Sequence, residues 1–130
     1  MPRFILIVDD SPQMAANLEI ALSTLDGLET RVVHSAVDAL SEMSALGCGA
    51  VAAVVTDLEM PRMNGFELIE RLRADPRFGR RPIIVSSGSP DPDSPGRAAR
   101  LGADAYFTKP YSPIELRRKL QKLLEEHDHS

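Results

Sequence analysis

The sequence predicts an α/β fold: a five-stranded, doubly wound parallel sheet with helices on both faces. Two observations carry that expectation. Short apolar runs, each bounded by turn or capping residues, alternate along the chain with stretches of helical spacing. The runs are also apolar throughout rather than at every second position, as strands covered on both faces require. Strand–helix alternation of this kind builds right-handed βαβ crossovers and hence a parallel sheet.

The strands are expected at Phe4–Val8, Thr30–His34, Ala50–Thr56, Ile83–Ser86 and Ala105–Thr108. The first helix starts at Ser11 and carries Met14, Leu18, Ala21, Leu22 and Leu25 on one face before Asp26-Gly27 stops it. The second opens at Ser35, whose hydroxyl can cap, and carries Leu40, Met43 and Leu46 up to Gly47. A third begins near Asn64-Gly65 with Phe66, Ile69 and Leu72 inward. The last opens with Ser112-Pro113-Ile114-Glu115, a capping box with proline at its first position. The fourth is short, about Pro95 to Leu101, because the proline-rich stretch from Ser89 to Gly96 cannot be helical throughout.

A length of 130 residues with 43% apolar and 26% charged residues fits one domain, taken as 1-126 with a polar tail at 127-130. The single Cys48 excludes a disulfide framework and thiolate zinc patterns, and a reduced, cytoplasmic setting is the expectation. The opening apolar run is too short for a signal peptide or a membrane span. Fifteen basic against nineteen acidic residues give a formal charge of −4, the wrong sign for direct contact with nucleic acid or an anionic membrane.

In an open α/β sheet, ligands bind beyond the carboxyl ends of the strands, so polar residues there are the ones to weigh. Asp9 and Asp10 follow the first strand, Asp57 the third, Ser87 the fourth and Lys109 the fifth. Singly, such residues are ordinary helix entries and turns. Together they bring three carboxylates to one edge, where mutual repulsion would hold at least one protonated unless a cation intervenes. Mg²⁺ prefers one or two carboxylates with waters and phosphate oxygens, which Asp9, Asp10 and Asp57 can supply beside a backbone carbonyl. Phosphoryl transfer needs an oxygen nucleophile and positive charge around the equatorial oxygens. Asp57 is the candidate nucleophile, and Lys109 with the metal supplies the charge. The Ser87 hydroxyl and the amides of Leu58, Glu59 and Gly88 are candidate donors.

Along essentially its whole length the chain resembles the receiver domains of two-component response regulators, particularly the single-domain chemotaxis type. The resemblance is carried by Ile7-Val8-Asp9-Asp10-Ser11, by Asp57 to Gly65, by Ile84-Val85-Ser86-Ser87-Gly88 and by Gly102 to Pro110. It implies a flavodoxin-like sheet of strand order 2-1-3-4-5, with Asp57 as phosphoacceptor. Asp10 and Asp57 would bind Mg²⁺ through side chains, Asp9 mainly through water and Glu59 through its backbone carbonyl. Ser87 would be the switch hydroxyl, paired with Lys109, Lys109-Pro110 would be cis, and Tyr106 would swing inward when Ser87 moves. The implied partners are a histidine kinase or histidine phosphotransfer domain and a downstream protein or fused output domain. A homodimer through the helix 4–strand 5–helix 5 face is a further implied association. The resemblance makes the chain a phosphoacceptor that assists its own phosphorylation and dephosphorylation rather than a conventional enzyme.

Receivers commonly have a regular fourth helix, whereas Gly88 and three prolines interrupt that region here. Glu59 and Ser89 stand at places that in the family influence how fast the phosphoryl group is lost. Three rival readings share the fold. A haloacid-dehalogenase phosphatase would need an aspartate where Glu59 stands, and an inserted cap. A flavodoxin-like electron carrier would need a Ser/Thr/Gly-rich loop where Asp9-Asp10 would repel its phosphate. An inert docking module would not need all five site residues. His34 reads as a packed or surface residue with its polar tip satisfied, His127 and His129 as part of a polar tail, and the basic last helix as a solvated face or docking patch.

Overall fold

The computed structural model describes residues 3–128. Its elements run β1 (Arg3–Val8), α1 (Pro12–Leu22), β2 (Leu28–Val33), α2 (Ala36–Leu46), β3 (Val51–Asp57), α3 (Gly65–Ala74), β4 (Ile83–Ser87), α4 (Ser94–Leu101), β5 (Ala105–Thr108) and α5 (Pro113–Asp128). The five strands form one sheet in the order β2-β1-β3-β4-β5, every pairing parallel. This is the expected flavodoxin-like topology, and its order reverses at β1.

Successive residues of a strand point to opposite faces, and β1 shows how that divides the core. Leu6 and Val8 pack with Val54, Val85, Leu68 and Ile69 on the side covered by α2, α3 and α4. Ile5 and Ile7 pack with Val55, Ile84, Leu18 and Leu116 on the side covered by α1 and α5. All seven residues of β3 are buried, which accounts for its unbroken apolar run.

Helix starts follow the expected chemistry. Ser11 and Ser35 accept from the amides of Met14 and Asp38, and Ser112 from the Glu115 amide, which is one half of the capping box expected there. Asn64 and Glu67 form a reciprocal capping box at α3. The fourth helix is as short as the prolines imply, opening at Ser94 without a side-chain cap bond and ending at Gly102 in the left-handed region.

Some boundaries differ. β2 starts two residues earlier than expected and ends one earlier, because Leu28 and Glu29 extend the ladder with Arg3 and Phe4 and His34 is left outside. A 3-10 turn over Cys48–Ala50 delays β3, which then runs on to Asp57 because that residue pairs with Ser86. β4 likewise includes Ser87. α1 closes at Leu22, yet Leu25 is buried in the turn beyond it. His127 and Asp128 belong to α5, while residues 129 and 130 of the expected tail, His129 among them, lie outside the described residues.

The edge of the sheet away from the strand ends is tied by Arg73. Its guanidinium donates to the carbonyls of Gly79, Arg81 and Gly102 and to Asp104 at 2.9 Å. Asp104 also accepts from the Ile83 amide, so the Gly102-Ala103-Asp104 segment fixes where β4 and β5 begin. A cavity of about 520 Å³ beside Arg73 and Asp104 opens at this edge, far along the strands from the acidic cluster. No helix among the described residues is long and apolar enough to cross a membrane.

Candidate functional site

β1, β3, β4 and β5 are consecutive neighbours in the sheet, so whatever ends them forms a row along one edge. Asp57 and Ser87 are the last residues of β3 and β4, and Asp9 and Lys109 stand one residue beyond β1 and β5. Asp9, Asp57 and Ser87 are buried, Lys109 is half-buried, and Asp10 and Glu59 are exposed.

The Lys109 ammonium lies 3.0 Å from Asp57 Oδ2 and 3.4 Å from Asp9 Oδ2. Asp57 Oδ1 accepts from the Glu59 amide at 3.2 Å, and Asp9 Oδ1 from the Ser11 amide at 2.8 Å. The exposed ring of His34 holds the Asp9 carbonyl at 2.9 Å, which requires its proton on Nδ1. The polar tip of His34 is thus satisfied, as expected. No hydrogen bond from a described residue reaches the Asp10 carboxylate, which leaves it open toward solvent.

Burial pushes the Asp57 carboxyl up to about 6, although the Lys109 hydrogen bond and charge oppose the shift; Asp9 adds to it. Burial works to lower Lys109, but the hydrogen bonds and charges of Asp57 and Asp9 outweigh it and hold the ammonium above its ordinary value. One ammonium therefore does not supply all the positive charge this edge can use. Ligand oxygens of Asp9, Asp10 and Asp57 lie within 4.8 Å of one another, a set of hard donors suited to a divalent cation.

The loop after Asp57 is shaped by two backbone features. Arg62 turns through the left-handed region at φ 69°, and the chain returns so that Gly65 packs directly under the end of β3. A Cβ on Gly65 would stand 2.5 Å from the Asp57 carbonyl oxygen and 2.8 Å from Leu58 Cα. Glycine is what lets α3 start there and hold Asp57 at the rim.

The candidate donors are not all free. The Leu58 amide continues the ladder, donating to the Ser86 carbonyl at 3.0 Å, so it does not face the site. Ser87 Oγ accepts from the Ser89 amide at 3.0 Å and donates to Glu59 Oε2 at 2.6 Å. The Gly88 amide donates to Glu59 Oε1 at 2.8 Å. Reading the sequence picked out the Glu59 carbonyl but not the grip of its side chain on Ser87 and Gly88, since nothing in the local sequence specifies where an exposed glutamate points.

Tyr106 is half-buried and packs against the core on the α4 side, and Lys109-Pro110 is cis. Tyr111 was not anticipated. It packs edge-on to Phe107 with ring centroids 6.1 Å apart, and burial followed by the charge of Asp9 raises its phenol above the ordinary value.

Comparison with known proteins agrees with this geometry. Residues 5–121 match the response regulator receiver domain family. The chain is 32% identical over 124 residues to chemotaxis protein CheY1 of Helicobacter pylori, covering 95% of this chain and 98% of that protein. It is similar to the crystal structure of a putative response regulator from Chloroflexus aurantiacus, with TM-score 0.84, 29% identity, and 96% and 99% of the two chains covered. It also resembles the receiver domain of a signal transduction histidine kinase from Syntrophus aciditrophicus, with TM-score 0.85, 29% identity, and 98% and 94% covered.

Proposed function

The chain belongs to the response regulator receiver domain family, whose members accept a phosphoryl group in two-component signalling, and from that premise we propose that Asp57 is the acceptor. The observation that supports it best is the Lys109 ammonium 3.0 Å from the buried Asp57 carboxylate, at an edge where Asp9 and Asp10 also converge.

The donor is a phosphohistidine on a histidine kinase or phosphotransfer domain. An Asp57 carboxylate oxygen attacks phosphorus, the P–O bond forms as the P–N bond breaks, and the leaving imidazole takes a proton from solvent. Lys109 holds the nucleophile in place and meets the charge on the transferred group. Asp10 and Asp57 through their side chains, Glu59 through its backbone carbonyl and Asp9 mainly through water would hold Mg²⁺. When bound, Mg²⁺ offsets the charge shared by carboxylate and phosphoryl oxygens. It would also favour the ionised form of Asp57, whose carboxyl otherwise sits at about 6.

Once Asp57 is modified, Ser87 turns onto a phosphoryl oxygen and Tyr106 moves further inward. The two arrangements of these loops bind partners differently, so phosphorylation shifts their populations by its differential affinity. The partners are the kinase or phosphotransfer domain on one side and a downstream protein or output domain on the other, met in the cytoplasm. Self-association through the face of α4, β5 and α5 is a further route. The domain is taken as residues 1-126, and it assists its own phosphorylation and dephosphorylation rather than turning over a separate substrate.

Intact-protein mass spectrometry after incubation with acetyl phosphate or phosphoramidate tests the acceptor. A single Mg²⁺-dependent phosphoryl adduct is expected, absent in Asp57→Asn. Equal labelling of Asp57→Asn would move the acceptor elsewhere. A folded protein that no small donor and no kinase labels would favour the inert docking module.

A further inference from the structure

Ser87 and Gly88 follow Ser86, which pairs with Asp57 in the sheet, and offer a hydroxyl and an amide that could donate to a phosphoryl oxygen; both are already in use. The Glu59 carboxylate accepts from Ser87 Oγ at 2.6 Å and from the Gly88 amide at 2.8 Å, one oxygen to each donor. A two-oxygen anion bridging a hydroxyl and an amide is the pattern a phosphoryl group would make with the same pair.

We propose that the Glu59 side chain is a built-in occupant of these donors, which holds Ser87 away from Asp57 in the unmodified protein and must be displaced for Ser87 to reach the phosphoryl group. This rests on Asp57 being the acceptor. It assigns Glu59 a role in the resting state, distinct from any effect on how long the phosphoryl group survives.

The geometry of the segment favours such a device. The Glu59 amide is tied to Asp57 Oδ1 at 3.2 Å, so the backbone stays beside the acceptor while the side chain reaches across to β4. Glu59 is exposed, and its carboxylate can swing into water without leaving a buried charge unpaired. The Ser87 hydroxyl is held from both sides, accepting from the Ser89 amide while it donates to Glu59. Its proton is therefore aimed at Glu59 rather than at Asp57. A group added to Asp57 competes with Glu59 for this hydroxyl, and its negative charge repels the carboxylate it displaces.

The occupant sets a threshold. A weak anion at the Asp57 site must displace Glu59 before it gains the Ser87 and Gly88 contacts, so its apparent affinity is reduced by the fraction of molecules in which Glu59 holds them. Removing the carboxylate removes that competition. The gain should be about fivefold, at the low end of typical couplings because the contact faces solvent.

The test uses the full chain, Mg²⁺ and beryllofluoride as a stable phosphoryl analogue, with affinity and the Gly88 amide followed by nuclear magnetic resonance. Glu59→Ala should bind beryllofluoride about fivefold more tightly. In the free protein its Gly88 amide resonance should move, while in the adduct it should match wild type. Loss of a nearby negative charge alone would also tighten binding, so the decisive comparison is a double-mutant cycle with Ser87→Ala. Competition for the hydroxyl predicts that the gain from Glu59→Ala shrinks once Ser87 is gone. A gain of the same size in both backgrounds, no gain at all, or an unmoved Gly88 amide would overturn the proposal while leaving the acceptor assignment intact. A wild-type protein that binds no beryllofluoride, or binds it equally as Asp57→Asn, would remove the acceptor assignment and the occupant with it.

Discussion

Replacing Asp57 with asparagine should stabilise the metal-free protein at neutral pH, although it removes the proposed phosphoacceptor. Burial raises the Asp57 carboxyl from 3.8 to about 6, and at about 1.36 kcal/mol per pH unit the ionised form costs about 3 kcal/mol of folding free energy. The attraction of Lys109 already opposes that shift, so the figure is net of the pair. Because the folded value lies above the unfolded one, the contribution of Asp57 to stability is full below pH 3.8 and is lost as pH rises through about 6. Asparagine has the shape of the protonated acid and carries no charge at any pH. The variant should therefore gain up to about 3 kcal/mol at pH 7.5 in chelator and much less near pH 4. The chain has no tryptophan, so urea unfolding is best followed by far-ultraviolet circular dichroism. At a typical urea dependence of about 1.5 kcal/mol per molar, the midpoint should rise by about 1–2 M. Saturating Mg²⁺ should narrow the gap, because a ligand at a hundred times its dissociation constant stabilises the wild type by about 2.7 kcal/mol. An unchanged or lower midpoint at pH 7.5, or an equal gain near pH 4, would refute the electrostatic argument.

Lys109→Ala leaves the two buried carboxylates without the ammonium they share and should lower stability at pH 7.5 without metal by about 2 kcal/mol. It should retain Mg²⁺ binding, read by isothermal calorimetry, yet lose the phosphorylation-dependent change in partner affinity; a full change would mean the role given to Lys109 is wrong. Gly65→Ala drives a methyl into backbone atoms of Asp57 and Leu58 rather than into a flexible side chain, so it should cost about 3 kcal/mol in urea unfolding. A cost under about 0.5 kcal/mol would show that α3 can move off β3 freely.

The fold was legible because its central strands are buried on both faces, so apolar runs marked β1, β3 and β4, while the half-buried edge strand β5 was marked by the run Ala105-Tyr106-Phe107. β2 shows the limit. As an edge strand it alternates Leu28, Thr30 and Val32 with exposed Glu29 and Arg31, and its start was fixed by pairing with Arg3 and Phe4 rather than by any local run. The site was legible to the extent that topology carried it. Asp9, Asp57, Ser87 and Lys109 had to share one edge once their strands were parallel and adjacent. The tie that Arg73 and Asp104 make at the opposite end of the strands was not legible, because it depends on a side chain meeting carbonyls up to 29 residues away.

Glu59 marks where reasoning from sequence alone stops. Its position two residues after Asp57 is fixed by the chain, and so is the direction of its amide, which donates to the Asp57 carboxylate. Its carboxylate, however, has several rotatable bonds and water on one side, and only the placement of β4 decides that it meets Ser87 and Gly88. Among the described residues, four carboxylates and a single ammonium then share this edge, so it is short of positive charge before any phosphoryl group arrives. A divalent cation at Asp9, Asp10 and Asp57 would answer part of that deficit. A phosphoryl group on Asp57 would then restore much of the negative charge, and the carboxylate free to leave is the one that is exposed. Asp9 and Asp57 are buried and held by Lys109, whereas Glu59 can turn into solvent and release two donors as it goes. The same exposure that hid the orientation of Glu59 from the sequence is what allows it to yield its place.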